Sequence, residues 1–432
     1  MKILLITTFY PPTNSIASHR PLSWAKCWSR LGHSVTVLTT KKTAHETDEP
    51  LYSHENLEII EADMPDAIQQ AKSRYRAPGS SSAGKSGILS FLKKKFQKMR
   101  DRTGIFNACR MPDFTDFWIL PALRKMESKE PYDVIISTAG PYSVHIVAYK
   151  LKKKWKNSFW IADYRDTWSD NYIYPGMFPF NVCEKILEKH LLKKADLLTT
   201  ISEPFAEHFK KKYPGKIVET VYNGYDPEDE VDPEPSFPDD GKYRIVHTGS
   251  LYLQKRDPSP LFLAIKELKE DKKTLSAVSR LEVIFVGLQN ANLEELIQKY
   301  GLEDMVKLGG FVSRKKALAM QRDADALLFL PWNDPSTEGV LTGKIFEYLS
   351  SKTPIICVGC QQKEASQNLI LEANAGKAFH DVKEIKTFLT QELLSLKKTS
   401  CQPETHVLQR FERPAIAKNL LDTIELYRNK ST

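Results

Sequence analysis

The chain has 432 residues, of which 41% are hydrophobic and 27% charged, a composition typical of a soluble globular protein. This length exceeds what one hydrophobic core usually supports, so two domains are expected. No apolar run reaches the roughly 18 residues of a membrane-spanning helix. The first residues, MKILLIT, are typical of a buried strand rather than a signal peptide. We therefore expect a cytoplasmic protein.

The net charge of +8 is unevenly distributed along the chain. Residues 1–205 hold 30 Lys and Arg against 21 Asp and Glu, so the first half carries the whole excess. A basic half indicates an anionic partner, such as nucleic acid, anionic lipid or a phosphorylated substrate.

The first half of the chain alternates strand-like and helix-like segments. KILLITTFY is followed by a helical period at Leu22, Ala25, Trp28 and Leu31, and then by the strand-like SVTVLTT. This βαβ unit predicts a parallel sheet. The alternation continues through NLEIIEA, YDVIIST, SFWIADY, ADLLTTIS and IVETVYN. Residues 1–223 are therefore predicted to form a Rossmann-like α/β domain.

A second domain of the same kind is predicted after a linker. Residues 224–242 are acidic and rich in proline, which favours a linker. Alternating strands and helices then return over residues 243–405, and residues 406–432 are expected to return as a helix to the first domain. Two doubly wound α/β domains in tandem are expected to face a cleft, with the carboxyl ends of their strands toward it.

One stretch, GSSSAGKS, fits the phosphate-loop pattern through Gly79, Gly84, Lys85 and Ser86. Such a loop requires a buried strand before it and a helix after it. Eighteen residues, 61–78, separate Gly79 from the nearest strand-like run, LEII, and this segment is polar and basic. A flexible Gly/Ser tether is the favoured interpretation, with a nucleoside triphosphatase as the alternative.

Residues 87–102 form a predicted basic amphipathic helix. Ile88, Leu92, Phe96 and Met99 have helical spacing, and five Lys and Arg lie between positions 93 and 100. Three interpretations remain open: a surface helix packed on its own domain, an interfacial helix on anionic lipid, or a nucleic-acid contact. The last lacks the sequence signature of any RNA- or DNA-binding module.

Candidate anion-binding residues follow two strands of the second domain. Lys255 and Arg256 lie in the loop after strand YRIVHTG, and adjacent cations suit a diphosphate. VLTGK enters the helix of TGKIFEYLSS, where Thr342 is a candidate N-cap. The unpaired N–H groups of a helix N-terminus, here at Gly343, attract anions.

Two charged side chains extend this second anion site along the same helix. Lys344 adds positive charge at the first turn. Glu347 lies one turn further, where a carboxylate can accept hydrogen bonds from sugar hydroxyls, unless it serves only as a buried capping group.

In the first domain, DYRDTW ends a strand at the expected cleft, with Asp163, Arg165 and Asp166 together. A carboxylate there can orient or deprotonate an acceptor hydroxyl, and the Arg can fix the carboxylate or hold a phosphate. A structural Asp–Arg pair is the alternative.

Three further residues are weaker candidates. Arg20 follows FYPP in the first strand-to-helix loop and is expected to contact the donor phosphate or the acceptor. His19 is adjacent, and His145 lies in a predicted helix. Lone histidines are more often structural than catalytic.

The sequence resembles the family-4 glycosyltransferases of the GT-B fold, especially the bacterial surface-polysaccharide enzymes. The matching stretches are MKILLITTFYPP, LGHSVTVLTT, WIADYRDTW, ADLLTTISE, VYNGYD, HTGSLYLQKRDP and EGVLTGKIFEYLSSKTPII. RFERPAIAKNLLDTIELY is similar to the C-terminal helix of that family. The resemblance covers residue 1 to about residue 360 and this last segment.

The resemblance implies transfer of a sugar from a nucleotide-diphosphate donor, usually with retention, and without an obligatory metal or other cofactor. Lys255 matches the family lysine that holds the diphosphate, and Glu347 the second Glu of E-x₇-E, which binds the ribose. The first Glu of that motif falls one residue after Glu338. The family arginine falls at Ser250, for which Arg256 is expected to substitute.

These observations predict a glycosyltransferase with a glycan or lipid-linked acceptor, peripheral at the inner face of the cell membrane through residues 87–102, with no nucleic-acid partner. Two other functions remain possible. A nucleotide-sugar epimerase of the same fold would release nucleotide without an acceptor, and a non-catalytic nucleotide-binding protein would bind without turnover.

Overall fold

The computed structural model divides into two compact units. One comprises Met1–Tyr222 with Ile416–Thr432, and the other comprises Asn223–Ala415. The residues described are 1–13, 16–41, 52–66, 68–69, 88–249, 251, 256–287, 291–332, 341–359, 364–395 and 401–431.

The first unit is built on a parallel seven-stranded sheet. Its strands are β1 (Lys2–Ile6), β2 (Ser34–Thr40), β3 (Leu57–Ala62), β4 (Val134–Thr138), β5 (Phe159–Tyr164), β6 (Leu197–Thr200) and β7 (Val218–Thr220). They lie in the order β3-β2-β1-β4-β5-β6-β7. The helices are α1 (Ile16–Arg30), α2 (Ile88–Thr103), α3 (Ile119–Lys125), α4 (Ser143–Lys154), α5 (Phe180–Leu192) and α6 (Glu203–Lys212), with a 3₁₀ helix at Phe114–Trp118.

The second unit is built on a parallel six-stranded sheet. Its strands are β8 (Tyr243–Thr248), β9 (Leu281–Val286), β10 (Val306–Gly310), β11 (Ala326–Phe329), β12 (Ile355–Val358) and β13 (Gly376–Phe379). They lie in the order β10-β9-β8-β11-β12-β13. The helices are α7 (Ser259–Glu270), α8 (Leu275–Val278), α9 (Ala291–Tyr300), α10 (Arg314–Asp323), α11 (Gly343–Ser351), α12 (Ala365–Glu372), α13 (Val382–Leu394) and α14 (Thr405–Gln409).

The sheet of the first unit is buried on both faces, as a doubly wound sheet requires. Alternate residues of β1 point to opposite sides: Ile3 and Leu5 join one hydrophobic cluster, and Leu4 and Ile6 join the other. The last helix, α15 (Arg413–Ser431), supplies apolar residues to the cluster around Ile3. Trp28 Nε1 of α1 donates a hydrogen bond to the carbonyl of Ala417 (2.8 Å), which fastens this helix to the first unit.

Residues 224–242, for which the sequence predicts a linker, lie within the second unit and contact it. Asp229 pairs with Arg314 of α10 at 2.7 Å, and the amide of Ser236 donates to Asp323 Oδ2 at 2.8 Å. These polar contacts suit an acidic segment beside the basic start of α10. Across the described residues, no helix is both long and apolar enough to cross a membrane.

Candidate functional site

In each unit, the strand order reverses direction next to its first strand. The reversal lies between β1 and β4 in the first unit and between β8 and β11 in the second. At such a switch point neighbouring connections leave in opposite directions, which opens a crevice at the carboxyl ends of the strands. Asp163, Arg165 and Asp166 lie at the end of β5, and the other sequence candidates that the structure describes lie on the segments that follow these strands. The two units are considered separately.

In the first unit, Asp163 at the end of β5 is held by Arg20 of α1. Arg20 Nη2 donates to Asp163 Oδ1 at 2.7 Å and Nε to Oδ2 at 3.1 Å, so the pair is bidentate. Thr199 Oγ1 donates to the same Oδ1 at 2.7 Å. The remaining Arg20 nitrogen, Nη1, donates to the carbonyls of Val221 and Tyr222 at 2.7 and 2.9 Å.

These contacts change the expected roles of Asp163 and Arg20. Asp163 is fully buried. Burial by itself raises the pKa of Asp163, but Arg20 and the Thr199 hydroxyl outweigh it, so the pKa lies below its ordinary value. A buried, ionised and fully bonded carboxylate is unsuited to take a proton from an acceptor. The sequence predicts that Arg20 contacts the donor phosphate or the acceptor. In the structure its guanidinium donates hydrogen bonds to Asp163 and to two backbone carbonyls of the same unit.

Arg165 and Asp166 have different surroundings from Asp163. Arg165 Nε donates to the carbonyl of Ala139 at 2.9 Å and Nη2 to that of Gly140 at 3.0 Å. Arg165 therefore clamps the loop between β4 and α4. Asp166 is exposed and accepts a hydrogen bond from Tyr172 Oη at 2.9 Å. Among the three residues of DYRDTW that the sequence selects, Asp166 is the carboxylate that a ligand can reach.

The two candidate histidines of this unit are buried. His19 lies on α1 beside Arg20 and is 5% exposed. His145 Nδ1 lies 2.8 Å from Ser137 Oγ, which also accepts a hydrogen bond from Trp160 Nε1. Burial lowers the pKa of His145 to about 3, so its ring is neutral. This environment agrees with the structural alternative for His145.

In the second unit, a buried lysine meets a buried histidine. Lys344, at the start of α11, places its Nζ 3.0 Å from Nε2 of His247 on β8. His247 Nδ1 lies 2.9 Å from the carbonyl oxygen of Leu328, which can only accept, so Nδ1 carries the ring proton and Nε2 accepts from Lys344. Among the described residues, no carboxylate lies within ion-pair distance of Lys344.

The charge of Lys344 is disfavoured in this environment. Burial is the largest cause that lowers the pKa of Lys344 well below its ordinary value, and the nearby guanidinium of Arg256 is the second, while Glu347 acts in the opposite direction. Arg256 itself is 7% exposed and stacks over the ring of Trp332, with 5.6 Å between the guanidinium carbon and the ring centroid. The Lys344 amine therefore lies within the electrostatic influence of the Arg256 guanidinium inside the unit.

Two glycines make this close approach possible. Gly249, directly after β8, has φ +94°, and a Cβ there would lie 3.3 Å from Lys344 Nζ. Gly287, directly after β9, has φ +142°, and a Cβ there would lie 2.7 Å from the carbonyl oxygen of Gly249. Both positions need glycine, because a side chain would meet the neighbouring loop or the lysine.

The N-terminus of α11 adds backbone donors to these cations. Thr342 occupies the N-cap position but makes no capping hydrogen bond, and its Oγ1 is buried without a partner among the described residues. Gly343 and Lys344 begin the helix, where N–H groups have no partner within the helix itself. The helix start and Lys344 together can bind an anion.

Glu347 lies one turn along α11 from Lys344, with half of its carboxylate engaged. Its Oε1 accepts from Arg314 Nη1 at 2.7 Å, while Arg314 Nη2 donates to Asp229 Oδ2, also at 2.7 Å. The other oxygen, Oε2, accepts no hydrogen bond from the described residues. The carboxylate is thus fixed in orientation and still has an oxygen for a ligand hydroxyl.

Several sequence candidates lie outside the described residues. These are Ser250, Lys255 and Glu338 of the expected donor site, and Gly79, Gly84, Lys85 and Ser86 of the phosphate-loop pattern. Within the described part of the chain, no group of three or more His, Cys, Asp and Glu is arranged to hold a metal ion.

Sequence reasoning missed His247, Arg314 and Asp229. His247 is the fifth residue of strand YRIVHT, and its side chain could have been placed near the strand end by counting alone. Its pairing with Lys344, which is 97 positions away, has no local signal. Arg314 likewise stands at the start of α10, and only the fold brings it to Glu347.

Family comparisons agree with this architecture. Residues 21–229 match the family model described as Glycosyltransferase Family 4, and residues 228–388 match the one described as Glycosyl transferases group 1. Together the two models match most of the chain. The chain therefore belongs to the glycosyltransferases, with the GT-B fold. No curated protein sequence matches it significantly.

Solved structures show the same fold at low sequence identity. Sucrose-phosphate synthase from Thermosynechococcus elongatus is 15% identical with a TM-score of 0.59, covering 99% of this chain and 98% of that one. A trehalose-6-phosphate structure from E. coli bound with UDP-2-fluoro glucose is 12% identical with a TM-score of 0.57, covering 99% and 97%. The lipopolysaccharide outer core galactosyltransferase WaaB is 14% identical with a TM-score of 0.53, covering 98% and 99%.

Proposed function

We propose that this glycosyltransferase moves a hexose-type sugar from a nucleotide-diphosphate donor to a hydroxyl of a lipid-linked or surface-polysaccharide glycan, with retention and without a required metal. The observation that carries the donor half of this proposal is the buried Lys344. It has a neutral histidine as hydrogen-bond partner, a second cation nearby and no carboxylate in ion-pair contact among the described residues.

A diphosphate fits this arrangement because it supplies the missing negative charge. Lys344 offers an ammonium group, Arg256 a guanidinium, and α11 the N–H groups of its first turn. Glu347 then accepts from a ribose hydroxyl through Oε2. A similarly folded E. coli structure is bound with UDP-2-fluoro glucose, which supports a nucleotide-sugar donor.

The same groups would assist the chemical step. When the glycosidic bond to the donor breaks, negative charge develops on the leaving diphosphate. Cations and helix N–H groups already oriented in a low-dielectric site stabilise that charge without further reorganisation. The protein thereby supplies the charge that a metal ion would otherwise contribute.

For the acceptor we propose the first unit, with Asp166 as the carboxylate that orients or deprotonates the acceptor hydroxyl. Arg165 shapes the adjacent loop, and Asp163 with Arg20 holds the strand end in place. The basic character of the first half of the chain suits a phosphorylated or membrane-bound acceptor. WaaB, a lipopolysaccharide galactosyltransferase of the same fold, supports an envelope glycan as the acceptor class.

We also propose that the protein is cytoplasmic and meets the inner face of the membrane through residues 87–102. Within the described part of α2, Lys95, Lys98 and Arg102 are exposed. Their charge favours anionic headgroups. Deletion of residues 85–104 without any change in liposome binding would remove this element of the proposal.

Calorimetric titration with UDP and GDP, with and without magnesium, tests the donor site. We expect one of the two to bind without metal, and Lys344→Gln to weaken it about ten- to a hundred-fold, the usual loss for a charge-assisted phosphate contact. The same loss is expected for Lys255→Ala. Lys272→Gln, at an exposed lysine of the same unit, is the matched control.

Three other outcomes would replace the proposal. Magnesium-dependent ATP binding that is lost in Lys85→Ala would establish the triphosphatase alternative. Conversion of a UDP-sugar to its epimer without acceptor would establish an epimerase. Nucleotide binding without turnover on any lipid-linked or glycan acceptor would favour a non-catalytic binding protein.

A further inference from the structure

Helix α5 buries two carboxylates beside Leu191 and Leu192 on its inner face, and it leaves two aliphatic side chains exposed. Glu184 and Glu188 on its inner face are 0% exposed. Val182 and Ile186 on the opposite face are 48% and 67% exposed. In a typical surface helix the carboxylates face water and the aliphatic side chains face the core.

The buried carboxylates determine this orientation through specific partners. Glu184 pairs with Arg110, whose Nη2 lies 2.7 Å from Oε2, and its Oε1 accepts from the amide of Met111 at 2.6 Å. Glu188 Oε2 accepts from Ser169 Oγ at 2.6 Å and from Lys212 Nζ at 2.8 Å. Turning the helix to bury Val182 and Ile186 would expose Leu191 and Leu192, and it would leave buried Arg110 without its counter-charge, at a cost of several kcal/mol.

Exposed apolar residues lie on α5 and on the segment that leads into it. Val182 and Ile186 are four residues apart and so lie on one face of the helix, and Phe178 lies two residues before the helix begins. Phe178 is 78% exposed, and Ile173 of the preceding loop is 41% exposed. We call Ile173, Phe178, Val182 and Ile186 the apolar stripe.

The exposed charges of residues 175–195 have one sign, whereas the segment before them carries the exposed carboxylates Asp166 and Asp170, of which Asp170 pairs with Lys212 at 2.6 Å. Residues 175–195 contain four lysines, Lys185, Lys189, Lys193 and Lys194, and all four are exposed. The only carboxylates of this segment are Glu184 and Glu188, which are buried. Solvent therefore meets cations and aliphatic groups here, a combination that suits the headgroups and acyl boundary of an anionic bilayer.

The apolar stripe begins near the proposed acceptor site. Helix α5 starts from the carboxyl edge of the sheet, after β5, and Tyr172 of the connecting segment bonds to Asp166. The same segment joins the basic helix α2, because the amide of Gly176 donates to the carbonyl of Thr103 at 3.1 Å. The stripe, the end of α2 and Asp166 therefore lie on connected segments of the first unit.

We propose that the apolar stripe and its four lysines dock this unit onto an anionic phospholipid bilayer. This surface adds a membrane contact to the proposed function. It rests on that function in one respect, because a lipid-linked acceptor is the reason for the protein to be at a membrane. Phe178 and Ile186 enter the interface between headgroups and acyl chains. The lysines at the flanks contact anionic headgroups, and no exposed carboxylate of residues 175–195 opposes them.

Co-sedimentation of the full-length protein with vesicles tests this surface. One set of vesicles is phosphatidylcholine alone, and the other is an equimolar mixture of phosphatidylcholine and phosphatidylglycerol. We expect binding to the mixed vesicles that weakens at high salt, and little binding to the neutral ones. Absence of binding to the mixed vesicles overturns the proposal.

Two double variants separate the apolar and electrostatic contributions. One double variant, Phe178→Ser with Ile186→Ser, removes apolar area from the membrane contact. The other, Lys189→Glu with Lys193→Glu, removes two surface lysines that contribute roughly 1 kcal/mol each. We expect each to weaken binding to mixed vesicles about ten-fold or more. The matched controls lie in the second unit: Leu371→Ser with Leu394→Ser, and Lys272→Glu with Lys273→Glu. All four alter exposed side chains, so thermal unfolding should change little.

The remaining outcomes are distinct. Equal binding of the stripe variants and their controls overturns the proposal and leaves α2 as the membrane contact. A wild-type dimer that the serine variant dissociates, with no vesicle binding, assigns the stripe to self-association instead. UDP titration of the same variants distinguishes failure of this proposal from failure of the proposed function. UDP binding without vesicle binding contradicts only the membrane surface. Vesicle binding without UDP binding contradicts only the proposed function.

Discussion

His247 Nε2 and Lys344 Nζ lie 3.0 Å apart and join the end of β8 to the start of α11. The Leu328 carbonyl fixes the histidine as a hydrogen-bond acceptor, so one of the donors of Lys344 is held inside the unit and the others remain for a ligand. The proposed donor site uses Lys344 in this fixed orientation as its anion receptor.

Proton uptake on diphosphate binding follows from the pKa of Lys344. Burial, and then Arg256, lower this pKa in the free protein, and a bound diphosphate raises it again. Binding therefore takes up a proton at any pH between the free and bound pKa values, and affinity increases as the pH falls toward the free value. His247, the hydrogen-bond partner of Lys344, stays neutral near pH 8, because burial, and then the charge of Lys344, lower its pKa well below 6.5.

Titration calorimetry with UDP in HEPES and in Tris measures this proton. At about pH 8 the terminal phosphate, with a second pKa near 6, is already ionised and contributes little. We expect the apparent binding enthalpy to differ between the two buffers, because each buffer releases the proton with its own ionisation enthalpy. The size of the difference should correspond to the uptake of a fraction of one proton. The difference should vanish in Lys344→Met, and its persistence there would contradict the assignment.

Glu347→Gln should discriminate between ligands with and without a ribose. The amide presents a weaker acceptor to a ribose hydroxyl, so UDP affinity should fall about ten-fold, whereas inorganic pyrophosphate should bind as before. Asp229→Asn is the matched control, because it removes the other carboxylate partner of Arg314 and leaves Glu347 in place. Equal losses for UDP and pyrophosphate in Glu347→Gln would place Glu347 at the diphosphate instead.

Asp163→Asn should destabilise the first unit by about 3–5 kcal/mol, because it leaves the buried Arg20 without its counter-charge. The pKa of Asp163 is lowered in the folded protein. Its contribution to stability is therefore present above the unfolded carboxyl pKa of about 3.9 and is lost as the pH falls through the lower folded value.

Urea unfolding of wild type and Asp163→Asn over a series of acidic pH values checks both statements, and the two curves should converge at the lowest pH. Asp63→Asn, in an exposed pair with Lys41, is the control and should cost about 1 kcal/mol at most. A similar small cost for Asp163→Asn would contradict the bidentate pair.

Gly140→Ala should displace Arg165. Gly140 has φ +101°, and a Cβ there would lie 2.6 Å from Arg165 Nη2. Gly215→Ala is the matched control, since Gly215 has φ +84° but nothing within 4 Å of its added Cβ. Both variants carry backbone strain of roughly 1–3 kcal/mol, and only the first also meets Arg165.

The free energy of unfolding, measured in wild-type and Arg165→Ala backgrounds, isolates that contact. In the wild-type background, we expect Gly140→Ala to lower the free energy of unfolding more than Gly215→Ala does. In the Arg165→Ala background, we expect the two substitutions to lower it by about the same amount. No difference between the backgrounds would show that the Arg165 guanidinium simply moves aside.

The amino-acid sequence by itself determined the class of fold and which candidate anion-binding residues lie on α11. Alternating apolar runs and helical periods predicted two doubly wound parallel sheets, because burial on both faces of a parallel sheet imposes that pattern on every strand. Lys344 and Glu347 could be placed on one helix by their spacing alone. The position of Lys344 in the first turn indicated anion binding, and the resemblance to glycosyltransferases gave Glu347 its expected role at the ribose.

Only the tertiary structure decided which side chains meet. Asp163 and Arg20 are 143 positions apart, and Lys344 and His247 are 97 apart, so no local pattern encodes either pair. The orientation of α5 shows the same limit, since both Val182 with Ile186 and Leu187 with Leu191 have helical spacing, and the structure buries Leu191. Its two glutamates also face inward, because Arg110 and Lys212, on other segments, supply the buried counter-charges that the helix sequence does not contain.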